Sequence, residues 1–191
     1  EQEGSLVMFT HQGKVKRVAL GELSAARRSG LISIGLSRGD RLGWVDLMTR
    51  RVVDPRVSED YAQPREPLAD NVQIVRIDCG PPGYIPKEQL WDHLDAFADN
   101  MLGFLREQDE LPQLVHSHYA DAGEVGARLA KHLNVPFINT GHSLGRVKRQ
   151  RLSLGKKNPE GLDKKYKFPL RVEAEEIALE TASMVVTSTS Q

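Results

Sequence analysis

The chain has 191 residues, of which 39% are apolar, and it carries 26 basic and 26 acidic side chains. This length suits one well-buried domain, and the balanced charge excludes a global field that would attract nucleic acid or an anionic membrane. The single cysteine, Cys79, excludes an internal disulfide and a cysteine-based zinc site, and no apolar run reaches membrane-spanning length. We therefore expect a cytoplasmic protein that binds neither nucleic acid nor membrane. Because it starts at Glu1 and ends just after a predicted strand, we expect it to be part of a longer protein.

Strand and helix patterns alternate from residue 43 onward. The pattern predicts strands over 43–49, 71–77, 113–116, 135–139 and 184–187, helices over 87–110, 123–133 and about 168–182, a long loop over 50–70 and a basic loop over 146–157. Strand, helix, strand with short connections is typical of a parallel sheet, because a right-handed crossover needs a helix of about that length. We predict a doubly wound, Rossmann-like α/β domain. Before residue 43, strands at 6–9 and 15–20 and a short helix at 23–28 are candidates whose order the pattern does not predict.

Two histidine-bearing loops follow the predicted strands 113–116 and 135–139. The first has the sequence His-Ser-His-Tyr-Ala-Asp at 116–121, and the second Thr-Gly-His-Ser-Leu-Gly at 140–145. In an open α/β sheet the ligand crevice lies at the carboxyl ends of the strands. Imidazole and hydroxyl groups both donate and accept hydrogen bonds, which matches the hydroxyls of a sugar. His142 and Ser143 are therefore candidate sugar-binding residues, although a loop histidine that caps the next segment is the alternative.

The first loop also admits a metal site. His116 and His118 share one face if the strand persists, and Asp121 is close in sequence. The metal interpretation is the weaker one, because no third histidine or cysteine stands at a usual ligand spacing. The alternative is that one of these histidines is a hydrogen-bonded core residue, that Tyr119 lines the crevice and that residues 121–123 cap the following helix.

Positive charge is concentrated in the predicted loop 146–157, which contains no carboxylate. Its six cations are Arg146, Lys148, Arg149, Arg151, Lys156 and Lys157. A solvated basic loop is the default interpretation. Two further cations, Lys87 and Arg171, stand in the first turns of predicted helices, where the macrodipole disfavours positive charge unless an anion binds there. An ion pair between Arg171 and Glu175, four residues apart, is the alternative for Arg171.

Several segments together resemble the N-terminal half of sucrose-phosphate synthases, which are retaining glycosyltransferases of the two-domain GT-B type. They are residues 44–51, 85–91, 115–121, 136–145 with Lys148, and 163–191. The resemblance implies transfer of glucose from UDP-glucose to fructose 6-phosphate. It also implies that this domain holds the acceptor, and that the C-terminal domain that binds the nucleotide sugar is absent from this chain, so that the chain alone is inactive.

The resemblance assigns a role to six positions. His142 faces the transferred glucosyl group near the reacting centre. The other five bind the acceptor. Its phosphate is bound by Lys148 and Arg171, and its fructose by Lys87, Tyr119 and Ser143. No cofactor and no metal ligand are implied, with UDP-glucose as the donor substrate and Mg²⁺ at most a stimulating ion. The implied partners are a small sugar phosphate and the nucleotide-sugar domain.

This sequence departs from the family pattern at three places. Members carry a Gly-Gly-Gln loop after their first strand, whereas no Gly-Gly pair occurs here, and Leu170 replaces one of two arginines beside Arg171. Residues 1–42 match poorly, so we expect this segment to precede an acceptor-binding region over 43–191 within one domain. The alternatives are a related GT-B transferase with another nucleotide-sugar donor, a sucrose synthase-like enzyme, and a catalytically inactive remnant that serves as a binding module.

Overall fold

A computed structural model describes residues 5–9, 15–19, 37–40, 43, 45–154 and 159–187. The chain divides into two compact units, one formed by residues 1–48 and 65–75 and the other by residues 49–64 and 76–191. The helix predicted at 23–28 lies outside the described residues. No helix in the described ranges is long and apolar enough to cross a membrane.

The strands of the first half of the chain form two small sheets. Strands β1 (Ser5–Phe9) and β2 (Val15–Ala19) pair antiparallel. Strands β3 (Val45–Arg50), β4 (Arg65–Ala69) and β5 (Val72–Ile77) form a sheet of order β3-β5-β4. The long loop predicted over 50–70 is therefore partly wrong, since it contains β4 and a 3-10 helix, Glu59–Ala62. Strand β4 is mostly exposed and carries Pro67, which an edge strand tolerates, so it shows little of the alternation that predicts a strand.

A parallel sheet positions the two histidine-bearing loops. Its strands are β6 (Val115–His118), β7 (Phe137–Gly141) and β8 (Met184–Thr187), in the order β6-β7-β8. Both pairings are parallel, which confirms the predicted α/β, Rossmann-like fold. Strands β6 and β7 each begin and end two residues later than predicted, so the polar side chains of both loops begin on the strands themselves.

In the described part of the chain, five α-helices accompany this sheet. They are α1 (Leu94–Arg106), α2 (Tyr119–Leu133), α3 (Gly145–Ser153), α4 (Pro159–Tyr166) and α5 (Phe168–Thr181). The helix predicted over 87–110 is in fact a 3-10 helix, Lys87–His93, followed by α1. The predicted basic loop is wrong, because most of it forms α3. Arginine, lysine and glutamine are good helix formers, but α3 buries only Gly145 and so lacks the apolar stripe that predicts a helix.

Helix α2 begins four residues earlier than predicted. His118 is its N-cap residue, with no side-chain cap, and Asp121 lies inside its first turn, so the predicted capping segment 121–123 is wrong. The helix ends where Asn134 adopts the left-handed conformation, with φ of 53°, and donates its N–H to the Ala130 carbonyl. Its start therefore lies directly at the end of β6.

Two glycines bring α2 unusually close to its neighbours. A Cβ atom on Gly126 would lie 2.7 Å from Cε2 of Phe137, and one on Gly123 would lie 2.9 Å from Cβ of Ala178. Phe137 and Ala178 belong to the buried core together with Ala127 and Ala130. This close packing fixes α2 and α5 against β7, whose end carries the second loop.

Candidate functional site

The two loops meet at one edge of the parallel sheet. His118 at the end of β6 lies opposite Thr140 of β7 in the strand register. Because parallel strands end at the same edge, the chain leaves both strands at one edge of the sheet, which is where open α/β folds bind ligands.

Aromatic and imidazole rings assemble between these strand ends. Nδ1 of His118 lies 3.0 Å from Nε2 of His142, and Nε2 of His116 lies 2.8 Å from Oγ1 of Thr140. The ring of Tyr119 stacks on that of His142, with centroids 4.3 Å apart and planes inclined by 26°. The first loop therefore holds the ring of His142.

Desolvation disfavours the charged form of two of these histidines. The pKa of His116 falls to about 4, mainly because burial disfavours the charged ring and also because His118 is close. The pKa of His118 is lowered by burial first and then by the neighbouring His142. Both rings are therefore predominantly neutral at neutral pH.

Tyr119 has a strained backbone. Its φ of 70° lies in the left-handed region, which residues with a Cβ atom rarely adopt. Its side chain is 52% exposed, so burial of the ring does not account for this conformation. Such outliers cluster at functional sites. The conformation turns the chain from β6 into α2 while the tyrosine ring lies against His142.

A guanidinium from α5 reaches the second loop. Nη2 of Arg171 donates to the backbone carbonyl of Ser143 at 2.9 Å and to its Oγ at 3.0 Å. Nε of the same side chain donates to Oε1 of Glu175 at 3.1 Å. The ion pair that was the alternative for Arg171 thus forms, and the same guanidinium still contacts the candidate sugar-binding loop.

Glu175 is a site residue whose wider role the sequence did not reveal. Its two carboxylate oxygens accept the backbone N–H of Gly145 at 3.0 and 2.7 Å, so the carboxylate lies at the N-terminus of α3, where the helix dipole favours an anion. A Cβ atom on Gly145 would lie 3.1 Å from Oε2 of Glu175 and 3.3 Å from Cδ of Arg171, which explains the glycine. The spacing of Arg171 and Glu175 predicted their pair, but no local signal predicted the contact with Gly145.

Two predicted phosphate or sugar ligands lie on other elements. Lys148 is half-buried in the first turn of α3. Its backbone N–H donates to the backbone carbonyl of Leu144 at 2.9 Å, so its backbone is bonded directly to the second loop. Lys87 is exposed at the first residue of its 3-10 helix, and its place in the site remains a prediction. The described contacts bring together Tyr119, His142, Ser143 and Arg171.

The other described cations of the basic run have partners or suitable positions elsewhere. Arg149 forms a two-bond contact with Asp163 at 2.7 and 2.6 Å, and Arg146 pairs with Glu176. Arg151 lies in the last turn of α3, where the helix dipole favours a cation. Among the described cations of the run, Lys148 therefore remains the predicted ligand beside the second loop.

The described part of the chain offers no group of three or more His, Cys, Asp or Glu side chains that could hold a metal ion. A nitrogen of His116 faces Thr140, and a nitrogen of His118 faces His142, so these rings form hydrogen bonds within the site.

Comparison with known proteins matches different parts of the chain to two families. Residues 70–191 match the profile of the first GT-B domain of sucrose synthase, and residues 4–44 match that of the C-terminal β-propeller domain of DNA gyrase. Sucrose-phosphate synthase 4 of Arabidopsis thaliana is 44% identical, with 77% of this chain and 16% of that protein covered. The sucrose-phosphate synthase of Zea mays is 40% identical over 173 residues, with the same shares covered.

A solved structure of similar fold comes from Thermosynechococcus elongatus. Its sucrose-phosphate synthase superimposes with a TM-score of 0.56 at 27% identity, over 73% of this chain and 31% of that one. The chain thus spans only 16% of the length of the plant relatives quoted above.

Proposed function

This chain belongs to the sucrose-phosphate synthase family of GT-B glycosyltransferases, and we propose that it forms the acceptor-binding part of an enzyme that joins glucose from UDP-glucose to fructose 6-phosphate. The two substrates are inferred from the site and from the family resemblance. Because the chain spans a small share of its relatives' length, the nucleotide-sugar domain is proposed as its partner in the complete reaction. We place this activity in the cytoplasm.

The observation that carries the proposal is the contact between Arg171 and Ser143 at the end of β7. A guanidinium has five N–H groups, and the described bonds involve only Nε and Nη2, so the group can also bind a phosphate. Lys148, one helical turn from the loop, adds a second cation. Hydroxyl, imidazole and two cations at one strand end suit a sugar that carries a phosphate.

The ring cluster on the other side of the loop suits the sugar itself. Tyr119 presents an aromatic face beside His142, and His142 is proposed to face the glucosyl group. In the complete enzyme the bond between the anomeric carbon and UDP breaks, and the acceptor hydroxyl forms the new bond on the same face. Its proton passes to the leaving diphosphate, so the residues of this chain contribute positioning and charge stabilisation. No cofactor is needed, and Mg²⁺ at most stimulates.

Calorimetric titration of the 191-residue chain tests the proposal, with fructose 6-phosphate compared with fructose. We expect the phosphorylated sugar to bind at least about tenfold more tightly, which corresponds to about 1.4 kcal/mol. The substitution Arg171→Gln should weaken this preference. Arg128→Gln is the matched control, because Arg128 pairs with Asp95 and Asp99 on the surface. Equal binding of the two sugars, or no binding by a chain with the circular dichroism of a folded α/β protein, would overturn the proposal.

A second candidate function is sugar-phosphate binding without glycosyl transfer. It is favoured by residues 4–44, which match a profile of another family and lack the Gly-Gly-Gln loop that the resemblance leads us to expect near the first strand. Sequencing the gene on both sides of this segment separates the candidates. An in-frame nucleotide-sugar domain after Gln191 would exclude the second candidate.

A further inference from the structure

Two histidine nitrogens face each other directly in the ring cluster. Nδ1 of His118 and Nε2 of His142 are 3.0 Å apart, which is a hydrogen-bond distance. A neutral imidazole carries one N–H, so one of these nitrogens must donate and the other must accept. If His118 donates, both rings carry hydrogen on Nδ1. If His142 donates, both carry it on Nε2. The contact therefore ties the two tautomers together.

The ring of His142 is held by two consecutive residues. The ring of His118 meets it edge to edge, with centroids 5.3 Å apart and planes inclined by 25°, and Tyr119 stacks on it at 4.3 Å. The left-handed backbone of Tyr119 permits this arrangement, because the chain turns into α2 there while both rings stay against His142. The strained residue thus lies between the strand end and the helix, where it can orient His142.

The surroundings of the pair limit its charge. Burial and the neighbouring rings disfavour the charged forms of His116 and His118. Arg171 lies beside the adjacent Ser143, so a cation is already close to the loop. Protonation of both His118 and His142 would set two N–H groups against each other across the 3.0 Å contact. While the contact persists, the pair therefore binds at most one additional proton.

We propose that His118 is a positioning residue that fixes the ring orientation and tautomer of His142. Nδ1 of His142, the nitrogen not engaged by His118, is then presented to the sugar in a single protonation state. The role of His142 toward a sugar rests on the proposed function. The pairing of the two histidines rests on the geometry alone.

Nitrogen-15 NMR of the histidine side chains tests the pairing in the 191-residue chain without any ligand. Near neutral pH we expect His118 and His142 each to show one tautomer, and the same one in both rings. Signals averaged between tautomers, or opposite tautomers in the two rings, would overturn the proposal.

Three variants sharpen this measurement. His118→Phe keeps a ring but removes the nitrogen, so His142 should show averaged tautomers. His118→Asn places an amide near the position of Nδ1 and should restore a single tautomer. His132→Phe is the matched control, because His132 is exposed in the last turn of α2, about 20 Å along the helix from Tyr119.

Each outcome with these variants decides the question. Averaged signals in His118→Phe and single ones in His118→Asn support the proposal. An unchanged His142 in His118→Phe shows that His118 does not act on it. Loss of the single tautomer in both variants shows that ring bulk, and not the hydrogen bond, holds His142. Circular dichroism verifies that each variant is folded, and the asparagine variant still tests the pairing if the phenylalanine variant does not fold.

Titration of the same samples with fructose 6-phosphate keeps the two proposals apart. If the chain shows no preference for the phosphorylated sugar, but His142 shows averaged tautomers in His118→Phe, the proposed function fails and the pairing stands. If the preference is present while His142 is averaged in the wild type, the pairing fails and the proposed function stands.

Discussion

Replacing Gly126 with alanine should damage the packing of α2 against β7. The added Cβ would lie 2.7 Å from Cε2 of Phe137 and 3.0 Å from Cβ of Ser117, closer than side-chain carbons normally approach. The Phe137 ring is only 1% exposed, so it cannot move away without displacing other core atoms. Overpacking of this kind costs about 1–3 kcal/mol.

Gly103 in α1 provides the matched control. It is exposed, and a Cβ atom there would meet none of the described atoms within 4 Å. Both substitutions should gain about 1 kcal/mol from the higher helix propensity of alanine. Gly103→Ala should therefore stabilise the protein by about that amount. The difference between the two variants cancels propensity and leaves the overpacking term of about 1–3 kcal/mol.

Urea unfolding of both variants, followed by circular dichroism, measures this difference. In thermal unfolding, each kcal/mol should lower the melting temperature by roughly 2–4 °C for a protein of this size. If Gly126→Ala stabilises the chain as much as Gly103→Ala does, the close approach of α2 to Phe137 is incorrect.

Three further predictions concern buried or hydrogen-bonded charge. Glu175→Gln should lower the free energy of unfolding by about 1.5–3 kcal/mol, because its charged hydrogen bonds are lost. Glu176→Gln, at an exposed ion pair, should lower it by less than about 1 kcal/mol. Equal losses in urea unfolding would contradict this prediction. Because the pKa of His116 is about 4, its neutral ring contributes fully to the free energy of unfolding above about pH 6.5. This contribution falls by up to about 3 kcal/mol as the pH drops toward about 4. His116→Gln should therefore flatten this part of a pH series of melting temperatures. Hydrogen bonds from Arg56 lower the pKa of Asp54 from its ordinary 3.8. The ionised carboxylate therefore stabilises the folded chain above about pH 3.8, and this stabilisation is lost on further acidification. Asp54→Asn should remove this loss, and parallel acid-unfolding curves for wild type and variant would speak against it.

The parallel sheet was predictable where the pattern is local. Strand β8 has the predicted bounds, and the start of α5 agrees with its prediction, because Pro169 near the start of the helix and the β-branched apolar run of the strand are local signals. Strands β6 and β7 end two residues after their predicted ends because their polar residues form hydrogen bonds across the strands. Oγ of Ser117 donates to Oδ1 of Asn139 at 3.0 Å, and His116 bonds to Thr140. Such cross-strand pairs depend on register, which a single segment does not show.

The sequence pattern does not predict helix α3, because the start of this helix is stabilised by a residue that is distant in the sequence. The N–H of Gly145 finds its acceptor in Glu175, thirty residues later, and the side chain of the N-cap residue Leu144 makes no cap hydrogen bond. Start signals read from sequence rely on side chains next to the helix, so an acceptor supplied by α5 leaves no local trace. Arg171 and Ser143 are also far apart in the sequence, so no local signal predicts their contact.

The carboxylate of Glu175 would also determine how the proposed acceptor phosphate is held at this site. It lies 3.1 Å from Nε of Arg171, so much of the charge of that guanidinium is already balanced. Arg171 then contributes direction, through N–H groups fixed relative to Ser143, more than net attraction. In the proposed site, the net positive charge for the phosphate would come from Lys148, which α3 carries next to the loop. Direction and charge thus come from different helices, joined through the same carboxylate and Gly145.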